Sequence, residues 1–160
     1  MRRRQLKRSI SDLPAGGVLL ATEGRPIPRA AVEKAAELAR AGGLPVHVFA
    51  VARIHGTGFA LPNPWLRPNA GEWQAQRDSI GGTIKLLEKR GVQADGNVLG
   101  TRKATTRIVG MARQLSCEAI VMAADPPRNR LLANMMWSQE PYRVKRRARI
   151  PVHLVVDDGG

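Results

Sequence analysis

Residues 17–25 read Gly-Val-Leu-Leu-Ala-Thr-Glu-Gly-Arg, an unbroken apolar run of strand length that turns polar at its end. Short runs of this composition are typical of strands buried on both faces of a parallel sheet. Residues 23–28 contain two prolines and a glycine and therefore predict a loop. Apolar residues at spacings of three and four then predict a helix over 28–41, which Gly42 and Gly43 end. The stretch thus predicts the first β-α unit of an α/β domain.

The same alternation of strand and helix continues along the chain. The predicted strands cover residues 46–54, 92–99, 119–123 and 150–156. The predicted helices cover 71–89 and 104–115. A further short predicted helix carries Leu131, Leu132, Met135 and Met136 and is interrupted near Pro141. The predicted loops between them include 100–103 and the long segment 55–70, whose role the sequence does not reveal. Strands that alternate with helices indicate one parallel sheet, covered on both faces and joined by right-handed crossovers.

The composition fits one globular domain in a reducing compartment. The chain has 160 residues, of which 43% are hydrophobic, enough for one sizeable core. Cys117 is the single cysteine, so no disulfide forms within the chain, and we expect this residue to be a small buried hydrophobe. No apolar run is long enough to span a bilayer, and no apolar segment of an export signal follows the basic N-terminus. These features predict a cytoplasmic protein.

The charge is strongly unbalanced, since 26 basic residues stand against 13 acidic ones and give a formal net charge of +13. Two clusters hold much of the excess: Arg2, Arg3, Arg4, Lys7 and Arg8 near the N-terminus, and Arg143, Lys145, Arg146, Arg147 and Arg149 before the last strand. Such a field attracts RNA or the ribosome, an acidic protein or an anionic membrane surface. Cations at a helix end are also favourable without any partner. We interpret residues 1–15 as a basic, flexible arm and 16–157 as the folded domain.

Four stretches together resemble the universal stress protein family. Val18-Leu-Leu-Ala-Thr-Glu-Gly-Arg25 is similar to the family's first strand and loop, and Val46-His-Val-Phe-Ala-Val51 is similar to its second strand. Ile120-Val-Met-Ala123 and Pro151-Val-His-Leu-Val155 are similar to its fourth and last strands. The resemblance covers residues 17–156 and implies a five-stranded doubly wound sheet of the adenine-nucleotide alpha-hydrolase type, with strand order 3-2-1-4-5. It also implies a homodimer, which we predict to form through the last strand, and, in members that bind ATP, a nucleotide site between the first and fourth strands.

The chain departs from the family pattern at the residues that would hold phosphate. ATP-binding members carry three glycines and a hydroxyl residue after the fourth strand. The glycine positions fall here on Ala123, Pro126 and Met136, and the hydroxyl position falls on Trp137 or Ser138. Glycine lets backbone N–H groups approach a phosphate closely, whereas proline has no N–H, so we predict no cofactor and no ATP binding in the family's manner. If a nucleotide or other anion binds, the candidate residues are Thr22, Glu23, Arg25, Ala123, Asp125, Arg128 and Arg130.

The sequence contains no motif for catalysis or metal binding. The histidines His47, His55 and His153 have no cysteines or paired carboxylates at metal-ligand spacing, and no serine lies in a nucleophile elbow. We therefore predict a non-enzymatic regulatory or scaffolding module of the stress-protein type that binds a partner. Two alternatives stay open, a sensor of ATP, AMP or cyclic AMP and a basic factor associated with RNA or the ribosome.

Overall fold

Strands and helices alternate throughout the part of the chain that the computed structural model describes, which is residues 16–53, 70–125 and 139–156. The strands are β1 (Val18–Thr22), β2 (Val46–Arg53), β3 (Ala94–Thr101), β4 (Ala119–Ala124) and β5 (Val152–Val156), and the helices are α1 (Arg29–Gly42), α2 (Ala70–Lys89), α3 (Ala104–Gln114) and α4 (Glu140–Arg147). None of the helices within these ranges is long and apolar enough to cross a bilayer. The predicted arm 1–15, the predicted helix 131–136 and all but the last residue of the predicted loop 55–70 lie outside the described residues.

All five strands are parallel and follow the order β3-β2-β1-β4-β5. β1 pairs with β2 on one side, where Val18 lies opposite Val46, and with β4 on the other, where Val18 lies opposite Ala119. The predicted fold class and strand order are therefore confirmed. Because the chain runs outward from β1 in one direction and then returns to its other side, the strand order reverses between β1 and β4.

Different helix pairs cover the two faces of the sheet. Val18 and Leu20 belong to the core under α1 and α2, whereas Leu19 and Ala21 belong to the core under α3 and α4. All four side chains are at most 2% exposed. Successive residues of a strand point to opposite faces, so a strand covered on both sides needs an apolar residue at every position. This explains the unbroken apolar run at residues 18–21.

The start and end of β3 differ from the prediction, because the strand covers Ala94–Thr101 and not 92–99. Gly91 has a φ of 76°, and the N–H of Val92 donates to the Leu87 carbonyl at the end of α2. These two residues therefore complete the helix end, as glycine often does. The predicted loop 100–103 is also wrong in its first half, since Gly100 and Thr101 continue the pairing with β2.

Pro141 lies at the start of a helix, whereas the predicted helix with Leu131 and Met136, which was expected to be interrupted near this proline, lies outside the described residues. α4 begins at Glu140, and Pro141 lies in its first turn. The backbone N–H groups of a first turn have no partner inside the helix, so the missing N–H of proline costs nothing there. Pro141 and Val144 are buried and anchor α4 to the sheet, while its last turn carries Lys145, Arg146 and Arg147.

A buried pair, His47 and Asp95, joins β2 and β3 to Gly16, which lies two residues before β1. His47 Nδ1 lies 2.7 Å from Asp95 Oδ1, and its Nε2 lies 3.2 Å from the Gly16 carbonyl oxygen. The N–H of Gly16 in turn donates to the Leu115 carbonyl over 2.9 Å. A carboxylate and a carbonyl both accept hydrogen bonds, so each ring nitrogen of His47 needs a proton. Burial alone lowers the pKa of His47, but the hydrogen bond and charge of Asp95, with the Gly16 carbonyl, outweigh burial and raise the pKa.

We expect the free energy of unfolding to fall as the pH rises through the raised pKa of His47. The stabilisation is complete below the ordinary histidine pKa of about 6.5, and it is lost as the proton leaves the folded state. Urea unfolding from about pH 5 to about pH 9 measures this loss, and His47→Gln should flatten this part of the profile because glutamine does not titrate. A variant profile as steep as that of the unchanged protein would contradict the assignment.

Candidate functional site

The carboxyl ends of β1 and β4 lie side by side where the strand order reverses. In doubly wound folds, ligands bind in the crevice beyond this point. β1 leads here into the loop 23–28, and β4 leads into Asp125. Of the predicted anion-binding residues, the structure places Thr22, Glu23, Arg25, Ala123 and Asp125 at this crevice, whereas Arg128 and Arg130 lie outside the described residues.

The Thr22 hydroxyl folds the loop after β1 back on itself. Thr22 Oγ1 donates to the Arg25 carbonyl over 2.6 Å and accepts from the Gly24 N–H over 3.2 Å. Gly24 has a φ of 120°, which side chains rarely tolerate and glycine adopts freely. Gln76 of α2 holds the turn from outside, since its side chain donates to the Gly24 carbonyl over 3.1 Å. The hydroxyl of Thr22 is therefore used inside the loop.

Arg25 lies between two carboxylates. Its Nε donates to the Glu23 carboxylate, and its terminal nitrogens lie 3.2 Å from each of the two Asp125 oxygens. The side chains of Glu23, Arg25 and Asp125 are 4%, 13% and 20% exposed. Burial lowers the pKa of Arg25, but Glu23 and Asp125 outweigh burial and raise it, so the guanidinium stays charged. We call Glu23, Arg25 and Asp125 the switch-point cluster.

One carboxylate oxygen of the switch-point cluster accepts no hydrogen bond from the described part of the chain. Glu23 Oε2 is buried and has no hydrogen-bond partner among the described residues. A carboxylate oxygen accepts hydrogen bonds and donates none, so only a donor such as a hydroxyl or amino group could satisfy it. The described part of the crevice therefore has one cation, two carboxylates and one unsatisfied acceptor.

Helix α4 reaches the same crevice through Tyr142. The Tyr142 hydroxyl donates to the Asp125 carbonyl oxygen and so fixes the backbone at the end of β4. Neither Tyr142 nor Gln76 was predicted from the sequence as a site residue. Their partners lie 17 and 52 residues away in the sequence, and no local motif marks contacts of this kind.

The basic run before β5 is exposed. Arg143, Lys145, Arg146, Arg147 and Arg149 all face solvent on α4 and the residues after it. Arg143 lies 3.3 Å from a carboxylate oxygen of Glu140, and Arg147 donates to Thr106 Oγ1 of α3 over 3.4 Å. The other predicted basic cluster, Arg2, Arg3, Arg4, Lys7 and Arg8, lies outside the described residues.

Cys117 is buried as expected, at 5% exposure. Burial, followed by the charge of Asp95, raises the pKa of its thiol to about 12. A thiol with such a pKa stays protonated near neutral pH and is a poor nucleophile. Across residues 16–53, 70–125 and 139–156, no three His, Cys, Asp or Glu side chains lie close enough together to hold a metal ion.

Comparisons with known proteins agree with this architecture. A family model described as the universal stress protein family matches residues 16–156. The chain is similar to a universal stress protein from Archaeoglobus fulgidus, with a TM-score of 0.66 at 20% identity over 90% of this chain and 95% of that one. A universal stress protein from A. fulgidus in complex with dAMP gives a TM-score of 0.62 at 22% identity, over 86% of this chain and 95% of that one. A universal stress protein from Lactobacillus plantarum gives 0.71 at 13% identity, over 90% and 99%. A comparison with curated proteins finds no match.

At these identities the solved structures establish the fold alone. The family model carries more weight, because its match begins at the residue before Gly17 and ends with the last residue of β5. It spans 141 of the 160 residues, counted from 16 to 156. The chain therefore belongs to the universal stress protein family.

Proposed function

We propose that this chain is a non-enzymatic regulatory or scaffolding module that binds an acidic partner and does not hold ATP at its switch point. The switch-point cluster carries this proposal. Its cation is already engaged by two carboxylates, so an incoming phosphate would meet an excess of negative charge. Pro126 and Pro127 offer no N–H groups to compensate. We place the module in the cytoplasm, since Cys117 is a free thiol.

Arg25 cannot turn to a phosphate without cost. Glu23 and Asp125 would lose their shared counter-ion, and an unpaired carboxylate that is 4% exposed, as Glu23 is, is strongly unfavourable. Gln76 and Tyr142 also hold the two sides of the crevice through hydrogen bonds to backbone carbonyls. These contacts support a crevice that is filled by the protein's own side chains.

Thermal unfolding in the presence of nucleotides tests the proposal. We expect millimolar ATP, AMP, cyclic AMP and dAMP to leave the Tm unchanged, because only a ligand that binds the folded state raises it. The dAMP-bound relative from A. fulgidus is a suitable positive control for dAMP. A rise in Tm that grows with the concentration of any of these nucleotides would overturn the proposal.

One observation favours a second candidate function, a nucleotide sensor. Glu23 Oε2 is buried without a partner in the described part of the chain, and a ribose hydroxyl or an adenine amino group could donate to it. Under this alternative, nucleotide raises the Tm of the unchanged protein, and Glu23→Gln removes the rise because the amide offers one acceptor fewer. No rise in the unchanged protein would eliminate the sensor.

We also propose that two copies associate through β5. This strand lies at the edge of the sheet and pairs with β4 alone among the described strands, and an unpaired strand edge can accept another strand. Val156, at its end, is 43% exposed. Light scattering should give the mass of a dimer, and Val156→Lys should shift the equilibrium toward the monomer because an edge charge opposes pairing. A monomeric mass at every concentration would contradict this part.

A further inference from the structure

Helices α3 and α4 bring cations from two separate parts of the sequence onto one face of the sheet. The helices contact each other through hydrogen bonds from Thr105 to Glu140 and from Arg147 to Thr106. Nine exposed cations lie on these two helices or on the residues next to them: Arg102, Lys103, Arg107, Arg113, Arg143, Lys145, Arg146, Arg147 and Arg149. Within 102–118 and 139–150 the acidic residues are Glu118 and Glu140. Nine exposed cations therefore stand against two carboxylates within these two segments.

A groove, which we call the α3–α4 groove, runs between the two helices and on toward the start of β5. It consists of two adjoining depressions with volumes of about 290 Å³ and about 310 Å³. The smaller one is lined by Thr106, Val109, Gly110, Arg113 and Arg147. The larger one has Arg113 and Arg149 beside an apolar lining that includes Ala112, Ile120, Ala148 and Ile150. Arg113 is thus shared by both depressions, with Arg147 in one and Arg149 in the other.

We infer that the α3–α4 groove binds single-stranded nucleic acid, with backbone phosphates at Arg147, Arg113 and Arg149 and bases in the depressions between them. The inference rests on the proposed function, whose acidic partner it names. An unpaired strand alternates negative phosphates with flat bases whose faces are free to stack, and the groove alternates guanidinium groups with depressions. Arginine suits both parts, since it binds phosphate with paired donors and stacks on bases. A duplex would hide its bases from the groove.

The other acidic partners fit this surface less well. A stable protein interface needs large apolar or aromatic anchors at its centre, but the exposed large hydrophobic residue of the described ranges is Val156, which lies on β5. A membrane-bound helix needs an apolar face to insert, whereas the apolar residues Pro141 and Val144 of α4 are buried against the sheet. The solvent-facing side of α4 carries basic residues instead.

The test measures how labelled oligouridylate or oligothymidylate binds the full chain over a range of salt concentrations. The variant replaces the three groove arginines with glutamine: Arg113→Gln, Arg147→Gln and Arg149→Gln. Each lost phosphate contact lowers the salt slope by about 0.7, so the slope should fall by about 2, and affinity near 0.1 M salt should fall about 100-fold. The matched control removes three exposed cations from α1 and α2, on the opposite face, as Arg40→Gln, Lys85→Gln and Lys89→Gln. This control should stay within about threefold of the unchanged protein.

A second variant tests the depressions without changing any charge. Gly110 lines the smaller depression, and a Cβ there meets nothing within 4 Å, so we expect Gly110→Leu to occupy part of the depression and to favour the helix. We expect weaker binding with an unchanged salt slope, because a base is displaced while every phosphate contact stays. Thermal unfolding of each variant confirms that the fold is intact.

Three results would overturn the inference. The arginine variant could bind like the control, a duplex of equal length could bind more tightly than the single strand, or polyglutamate could compete as well as the oligonucleotide. The last result would assign the groove to an acidic protein. If no oligonucleotide binds and nucleotides leave the Tm unchanged, this inference fails and the proposed function stands. If ATP raises the Tm, the proposed function fails, whatever the oligonucleotide result.

Discussion

Arg25→Ala is expected to lower the free energy of unfolding by about 2–4 kcal/mol, because it leaves two carboxylates without their counter-ion. Glu23 would bear most of the loss, since its side chain is 4% exposed and already has one oxygen without a partner in the described part of the chain. Asp125 is 20% exposed and can recover some hydration, so the loss should be smaller than for a fully buried pair. Urea unfolding at neutral pH measures the difference.

Arg29→Ala is the matched control for this prediction. Arg29 pairs with Glu33 at 3.5 Å, but the two side chains are 76% and 52% exposed. Exposed pairs contribute little, so we expect a change of less than about 0.5 kcal/mol. Removing all three charges of the switch-point cluster at once, as Glu23→Gln, Arg25→Met and Asp125→Asn, should restore most of the stability that Arg25→Ala loses. If Arg25→Ala costs no more than Arg29→Ala, the cluster does not hold the crevice closed, and the proposed function loses its main support.

Phe49→Ala is expected to lower the free energy of unfolding by about 3–5 kcal/mol. Phe49 lies in β2, is 1% exposed and belongs to the core under α3 and α4 with Leu19, Ile108 and Ile120. Alanine removes the ring and leaves a cavity that rigid strands on both sides cannot close. At about 2–4 °C per kcal/mol for a chain of this size, the Tm should fall by roughly 10 °C.

Phe49→Leu separates the loss of volume from other effects of the substitution. Leucine keeps most of the apolar volume, and the cost of a core substitution grows with the cavity that it leaves. We therefore expect less than half of the loss caused by Phe49→Ala. If Phe49→Leu and Phe49→Ala lowered the free energy of unfolding equally, the size of the cavity would not determine the loss. That result would contradict the packing described for β2.

The fold could be predicted because its central strands are buried on both faces. β1 and β4 have no exposed position, so their residues are apolar except Thr22 at the end of β1, and such runs are easily recognised. Their order in the sheet is a different matter. Nothing in the sequence of β1 indicates that β2 and β4 are its neighbours in the sheet. The strand order 3-2-1-4-5 was therefore predicted from the family resemblance.

Element boundaries were harder to predict, because they depend on hydrogen bonds between distant backbone groups. Val92 is apolar and 4% exposed, which is typical of a strand, yet its N–H donates to Leu87 and belongs to the end of α2. Pro141 disfavours a helix interior and suits a first turn equally well. Whether Pro141 breaks a helix or begins one depends on where α4 begins, and the local sequence does not determine that position.

The location of the candidate site was predictable, but its internal contacts were not. The reversal of strand order brings residues after β1 and β4 together, so Arg25 and Asp125 could be expected to lie close to each other. From the sequence, Arg25 was a candidate phosphate ligand. The structure pairs it with Glu23 and Asp125, because the turn made by Thr22 folds residues 22–25 back on themselves beside the end of β4, where Asp125 lies. A turn of this kind is decided by geometry that residue types alone do not give.

The hydrogen bond from Gly16 to the Leu115 carbonyl has a consequence for affinity. It places the point where residues 1–15 join the domain at the end of α3, next to Ser116 and Cys117 of the larger depression. Whatever their conformation, Arg2, Arg3, Arg4, Lys7 and Arg8 are tethered there by a chain that spans at most about 3.6 Å per residue. A tethered second site acts at an effective concentration in the millimolar range. If the groove binds a strand as we infer, these tethered cations offer the same strand a second contact, which would slow its dissociation.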